Sequence, residues 1–162
     1  MWPNGCQPRF GIRYFNEEKF AAAVRSFERA SEALDDPAIA YNLALAHLAA
    51  LREYSEKGDA PDLPPKQVAA ALAAVAAGQA LPEPTEEMLA KLGYIEGEIF
   101  VLSGNPDVIR KSFQKSLDAD SNFAPTLKAQ LELDTDSGTI LARLVLATAE
   151  IEKLEPEPKL SQ

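Results

Sequence analysis

The strongest constraint on this chain is a beat of small and aromatic residues that returns along it. Gly11 is followed three residues later by Tyr14 and sixteen later by Phe27; Gly97 is followed at the same offsets by Phe100 and Phe113. Between them, "YNLALAH" sets Leu43, Ala44 and His47 in the same arrangement, and "AALAAVAAG" puts Ala71 four residues before Val75. The interval from Ala44 to Val75 is 31 residues, fifteen too long, and the surplus covers "EKGDAPDLPP", Glu56 to Pro65. In "KFAAAVRSFERASEALDDP" the apolar residues Phe20, Val24, Phe27, Ala30 and Leu34 keep to steps of three and four, so they share one face of a helix. Asp35, Asp36 and Pro37 then stop it.

Alternation of the kind that marks strands is scarce, and alanine, leucine and glutamate fill the segments between prolines. An all-α chain follows, with helices predicted over 5–16, 18–34, 38–55, 66–80, 86–103, 106–119, 124–133 and 138–154. Residues 1–133 read as a repeat array with a proline- and acid-rich loop at 56–65. Residues 134–155 read as a capping helix, with Leu141, Leu144, Val145, Ile151 and Leu154 on one side. Residues 156–162 form a polar tail.

Over residues 7–121 the pattern resembles the tetratricopeptide repeat, a helix–turn–helix unit of about 34 residues with L-G-x-x-Y in its first helix and A-x-x-x-F in its second. The first unit supplies Phe10-Gly11, Tyr14, Phe20, Ala23, Phe27 and Ala30, and the third supplies Gly97, Phe100, Gly104, Ile109, Phe113 and Leu117. The second departs, with Ala44 for the glycine, His47 for the tyrosine and Val75 for the aromatic. The leading tryptophan is replaced by Gln7, Ala40 and Gly93. Pro37 arrives two residues late, and Ser121 stands where the third unit's proline falls. The spacing has a physical sense: small residues let two helices approach closely, and an aromatic fills the wedge against the next hairpin.

The resemblance implies a right-handed α-solenoid of three hairpins plus a C-terminal cap. It further implies that the first helices of successive units line a concave groove that contacts partners. By position those contacts are Ile12, Phe15 and Asn16, then Tyr41, Leu45 and Leu48, then Lys91, Tyr94, Glu98 and Leu102, a lining that is mainly apolar and aromatic. The alternative for each is packing against a neighbouring helix or the long loop. Some members of this family clamp a partner's C-terminal carboxylate with lysine, asparagine and arginine. Here Asn42 and Lys91 fall at clamp positions, but Pro8, Ile12 and Ile95 occupy others, so an apolar or helical segment is the expected occupant.

Composition narrows the function from the other side. Sixteen basic residues against 25 acidic give a net charge of −9, which argues against nucleic acid as a partner. The acidity lies mostly beyond residue 55 and reads as a solvated surface, or as steering for a basic partner. The longest apolar run, Val68 to Ala77, falls short of the roughly 20 residues that span a bilayer. No export signal is seen, so a cytoplasmic location is expected, or an envelope one if a leader has been removed. Gly5-Cys6 resembles a lipid-attachment site but has no apolar segment before it.

Candidates for chemistry are few. Cys6 and His47 are each the single residue of their kind, and no glycine-rich phosphate loop is present. "DADSN" from Asp118 and "DTDSG" from Asp134 open like calcium loops, but Ala129 and Val145 stand at the closing glutamate positions. The acid pairs Glu17-Glu18, Asp35-Asp36 and Glu86-Glu87 lie near helix ends. The expectation is a non-enzymatic protein without cofactor or metal that binds a peptide or helix of another protein as an adaptor or assembly factor. The alternatives are a secretion-type chaperone, or a structural protein whose groove is filled by its own loop or by a second copy.

Overall fold

The computed structural model describes residues 8–58, 62–103 and 106–135. They form seven α-helices and, among the described residues, no strand: α1 (Pro8–Asn16), α2 (Phe20–Ala33), α3 (Pro37–Lys57), α4 (Pro65–Gln79), α5 (Glu86–Ser103), α6 (Pro106–Ala119) and α7 (Ala124–Thr135). The predicted capping helix and the tail lie outside the described residues.

The helix ends follow from local chemistry. The segment after α2 stops one helix and starts the next: Asp36 accepts hydrogen bonds at Oδ1 from the Ala38 and Ile39 amides at 2.7 and 3.3 Å. Pro37 then occupies the first helical position, where a missing N–H costs nothing. At its far end α3 stops on Gly58, whose φ of 67° suits a residue without a β-carbon. Thr85 caps α5 through the Met88 amide at 3.1 Å, with Glu86 and Glu87 in the first turn as their charge favours. Glu17 and Glu18 belong instead to the turn before α2, where Glu18 takes a positive φ of 56°. Glu17 is held between Arg13 and Lys19, each at 2.8 Å.

Each helix packs on its successor, and α3 also packs on α5. Within α1/α2 the contact is a ring laid on backbone: a methyl group added at Gly11 would lie 2.6 Å from the Phe27 ring, and one at Gly97 would meet Phe113 closer still. Phe27 and Phe113 are fully buried. Residue 93 of α5 meets residue 116 of α6 and residue 97 meets residue 113, so the two helices run antiparallel.

At the positions that depart from the small-and-aromatic beat, the side chains differ in volume. Ala44 and Val75 lie in one buried cluster with Leu48, Leu51, Ala71, Ala74, Leu92, Ile95 and Ile99. Val75 is smaller than the aromatic residues at the corresponding positions, and Ala44 is larger by a methyl group than the glycines. One turn away, a methyl group added at Gly78 would lie 2.9 Å from Leu92 and 3.4 Å from Ala40. The fifteen surplus residues extend α3 and form the segment before α4, from which Leu63 packs back onto the cluster.

A buried polar link ties the last helices together. The Ser116 hydroxyl donates to the Ala90 carbonyl at 2.7 Å and therefore accepts from the Thr126 hydroxyl at 2.6 Å, joining α5, α6 and α7. Ser26 and Ser112 precede the two buried phenylalanines and are themselves buried, and the Ser26 hydroxyl has no hydrogen-bond partner among the described residues.

The ring-on-glycine contact yields a direct prediction. Gly97→Ala overpacks the site and lowers unfolding stability by about 1–3 kcal/mol in urea titrations. Adding Phe113→Val, which copies the Ala44/Val75 pairing, makes the double variant less unstable than the sum of the single changes. Strict additivity would show that the ring and the glycine do not share this space.

Candidate functional site

Two polar links join α3 to α5. Lys91 Nζ stands 5.4 Å from the centre of the Tyr41 ring, joining α3 to α5. Farther along the same two helices Arg52 forms an ion pair with Glu98, whose side chain is only 18% exposed. Lys91 is also paired with Glu87, the main cause of its raised pKa.

Two open hollows flank the Arg52–Glu98 pair. One, of about 490 Å³, lies between the α1–α2 turn and α3 and is lined by Phe15, Phe20, Leu45, Ala49 and Arg52 among others. The second, of about 420 Å³, lies between α5 and α7, with Tyr94, Glu98, Lys128 and Glu132 on its walls. Arg52 therefore borders the first and its partner Glu98 the second.

The sequence-predicted residues divide accordingly. Phe15 is half-buried and meets Phe20 edge-on at 5.3 Å, while Ile12 and Asn16 are exposed on α1. Tyr41, Asn42 and Leu45 are half-buried on α3. Leu48 is 1% exposed within the cluster shared by α3, α4 and α5, so it serves the core and offers nothing to a partner. Leu102 faces a different hollow, beside Leu63, Val68 and Leu72.

Tyr94 serves both core and face. Its ring stacks on Phe113 and meets Phe123 edge-on, each at 6.1 Å. Burial, reinforced by Glu98, pushes its phenol pKa up against the opposing effect of Arg52. The lining is more charged than expected: Arg52, Glu53, Glu56 and Lys57 join the first hollow, and Lys128 and Glu132 the second. Arg52 carried a readable signal, because it follows Tyr41 by eleven residues and Leu45 by seven and so shares their side of α3.

The first calcium-like stretch is engaged in local hydrogen bonds. Asp120 accepts from the Asn122 amide at 2.9 Å and Asp118 from the Gln114 side chain at 2.8 Å, so this stretch organises a helix end. The second calcium-like stretch lies almost wholly outside the described residues. Among the described residues no group of three or more histidine, cysteine, aspartate or glutamate side chains is arranged to hold a metal ion. No helix among them is long and apolar enough to cross a membrane. His47 is 9% exposed, with Nε2 3.9 Å from Glu28 Oε1, and burial holds its pKa below the ordinary value. No family model, curated protein or solved structure matches the chain.

Burial of His47 has a consequence for stability. The unfolded chain takes up the imidazole proton near the ordinary histidine pKa of about 6.5, whereas the folded chain resists it. Stability present above that pH is lost as pH falls through the lowered folded value, until the two states bind the proton equally. Urea midpoints therefore fall between pH 7 and 5.5 in the wild type, and His47→Gln flattens that slope. Equal slopes in both proteins would contradict a buried neutral imidazole. Glu17 acts lower, because its pKa is brought down to about 2 first by the Lys19 hydrogen bond and then by that of Arg13.

Proposed function

We propose that this chain is a protein–protein interaction module. In this reading α1/α2, α3/α4 and α5/α6 are tetratricopeptide-like hairpins of a right-handed solenoid. The face built by α1, α3, α5 and α7 holds a peptide or helix of a partner protein. The observation that carries the reading is the pair of hollows on either side of Arg52 and Glu98, which expose half-buried Phe15, Leu45 and Tyr94 beside charged rims.

Such a face suits a segment with apolar anchors and flanking polar groups. Burial of the anchors supplies affinity, while the rim charges select register and partner. Nothing in this arrangement calls for a nucleophile, a general base or a cofactor. An adaptor and a client-holding chaperone would use the same face, and solubility of a co-expressed client separates them.

The test obstructs the hollows without touching the buried core. Ala49→Trp combined with Lys128→Glu alters one wall of each hollow, whereas Arg29→Glu with Lys111→Glu changes exposed positions on α2 and α6. Affinity capture from the native cell, quantified by mass spectrometry, should show a partner whose recovery falls at least tenfold in the first variant and persists in the second. Circular dichroism of both variants should match the wild type. A partner retained equally by both folded variants would overturn the proposed face.

A further inference from the structure

The opposite side of α3 carries a hollow that the proposed partner-binding face does not use. About 310 Å³ lies between α2, α3 and α4, walled by Val24, Ala50, Leu51 and Ala70, with His47 in its lining and Arg25 and Lys66 on its rim. Because α3 is central, its residues 45, 49 and 52 serve one side while residues 47, 50 and 51 serve this one.

Two basic groups here have no partner among the described residues. Arg25 and Lys66 are exposed and make no ion pair or hydrogen bond among the described residues, although the chain carries an excess of acid. His47 is nine-tenths buried, and its ring makes no hydrogen bond among the described residues; Glu28, at 3.9 Å, is the acid within reach. Two cations without a partner among the described residues, at the rim of an apolar wall, complement a molecule that is apolar at one end and anionic at the other.

We infer that this hollow binds a small monocarboxylate with a compact apolar body, its carboxylate held by Arg25 and Lys66 and its body against Val24, Ala50, Leu51 and Ala70 beside the His47 ring. Size sets the class. A space of this volume holds roughly ten water molecules, which admits a ligand of about ten non-hydrogen atoms and excludes a helix. The guanidinium and ammonium select the anion over a neutral analogue, and the apolar wall selects a ligand with a hydrocarbon body over acetate. The site shares no lining residue with the two face hollows, so it stands or falls independently of the protein-binding reading.

The single histidine makes the test specific, because its ring proton gives one resonance that reports from inside the hollow. The full chain is titrated by proton NMR with octanoate, 1-octanol and acetate at matched submillimolar to low millimolar concentrations. Octanoate is expected to shift the His47 resonance saturably, with octanol and acetate at least tenfold weaker. Arg25→Gln with Lys66→Gln, both at exposed positions, should weaken octanoate at least tenfold while leaving the circular dichroism unchanged. The inference is overturned by the absence of a saturable shift with octanoate, by equal binding of octanol, or by wild-type affinity in the double variant.

Discussion

An aromatic ring resting on a residue too small to hold it off is the contact on which this structure depends. Phe27 on Gly11 and Phe113 on Gly97 let each pair of helices approach until the ring is enclosed, which removes most of its apolar surface from water. At the corresponding sequence positions of α3 and α4 stand Ala44 and Val75, both in one buried cluster. A larger small residue and a smaller partner offset each other in part, a combination that packed cores tolerate better than a change on one side alone.

Close pairing in turn sets what the first helices can present. With α4 and α6 occupying one side of α3 and α5, the opposite side is left to Tyr41, Leu45 and Arg52 and to Lys91, Tyr94 and Glu98. The Lys91–Tyr41 and Arg52–Glu98 links contribute little net stability at this degree of exposure. Their effect is orientation: they fix which side chains border each hollow. Tyr94 shows the cost of building a face on a core, since its ring stacks on Phe113 while its edge lines the hollow. A truncation there alters packing together with the wall of the hollow.

Period and punctuation made the helices legible. Three- and four-residue steps, prolines at helix starts and acid-rich stops placed the described helices to within a few residues, because those signals act locally. What escaped was anything decided by a third element. Leu48 shares its side of α3 with Tyr41 and Leu45, yet it is closed into the core, and no intrahelical spacing reveals that α5 lies over it. Arg52 was legible by spacing but reads as an ordinary surface charge until Glu98 is seen opposite. The Ser116–Thr126 link joins residues on different helices, and neither serine nor threonine signals a buried partner in sequence. The same holds for the hollow at His47, whose walls come from three helices.

The central claim is that two rings lie on two glycines and so set the pairing of the helices. Nuclear Overhauser contacts in the full-length protein test it most directly. The account predicts strong cross-peaks from the Gly11 α-protons to the Phe27 ring and from the Gly97 α-protons to the Phe113 ring. Both sets of glycine protons should also be displaced from their random-coil positions by the ring currents. Well-resolved spectra in which the two glycines show neither effect would contradict it.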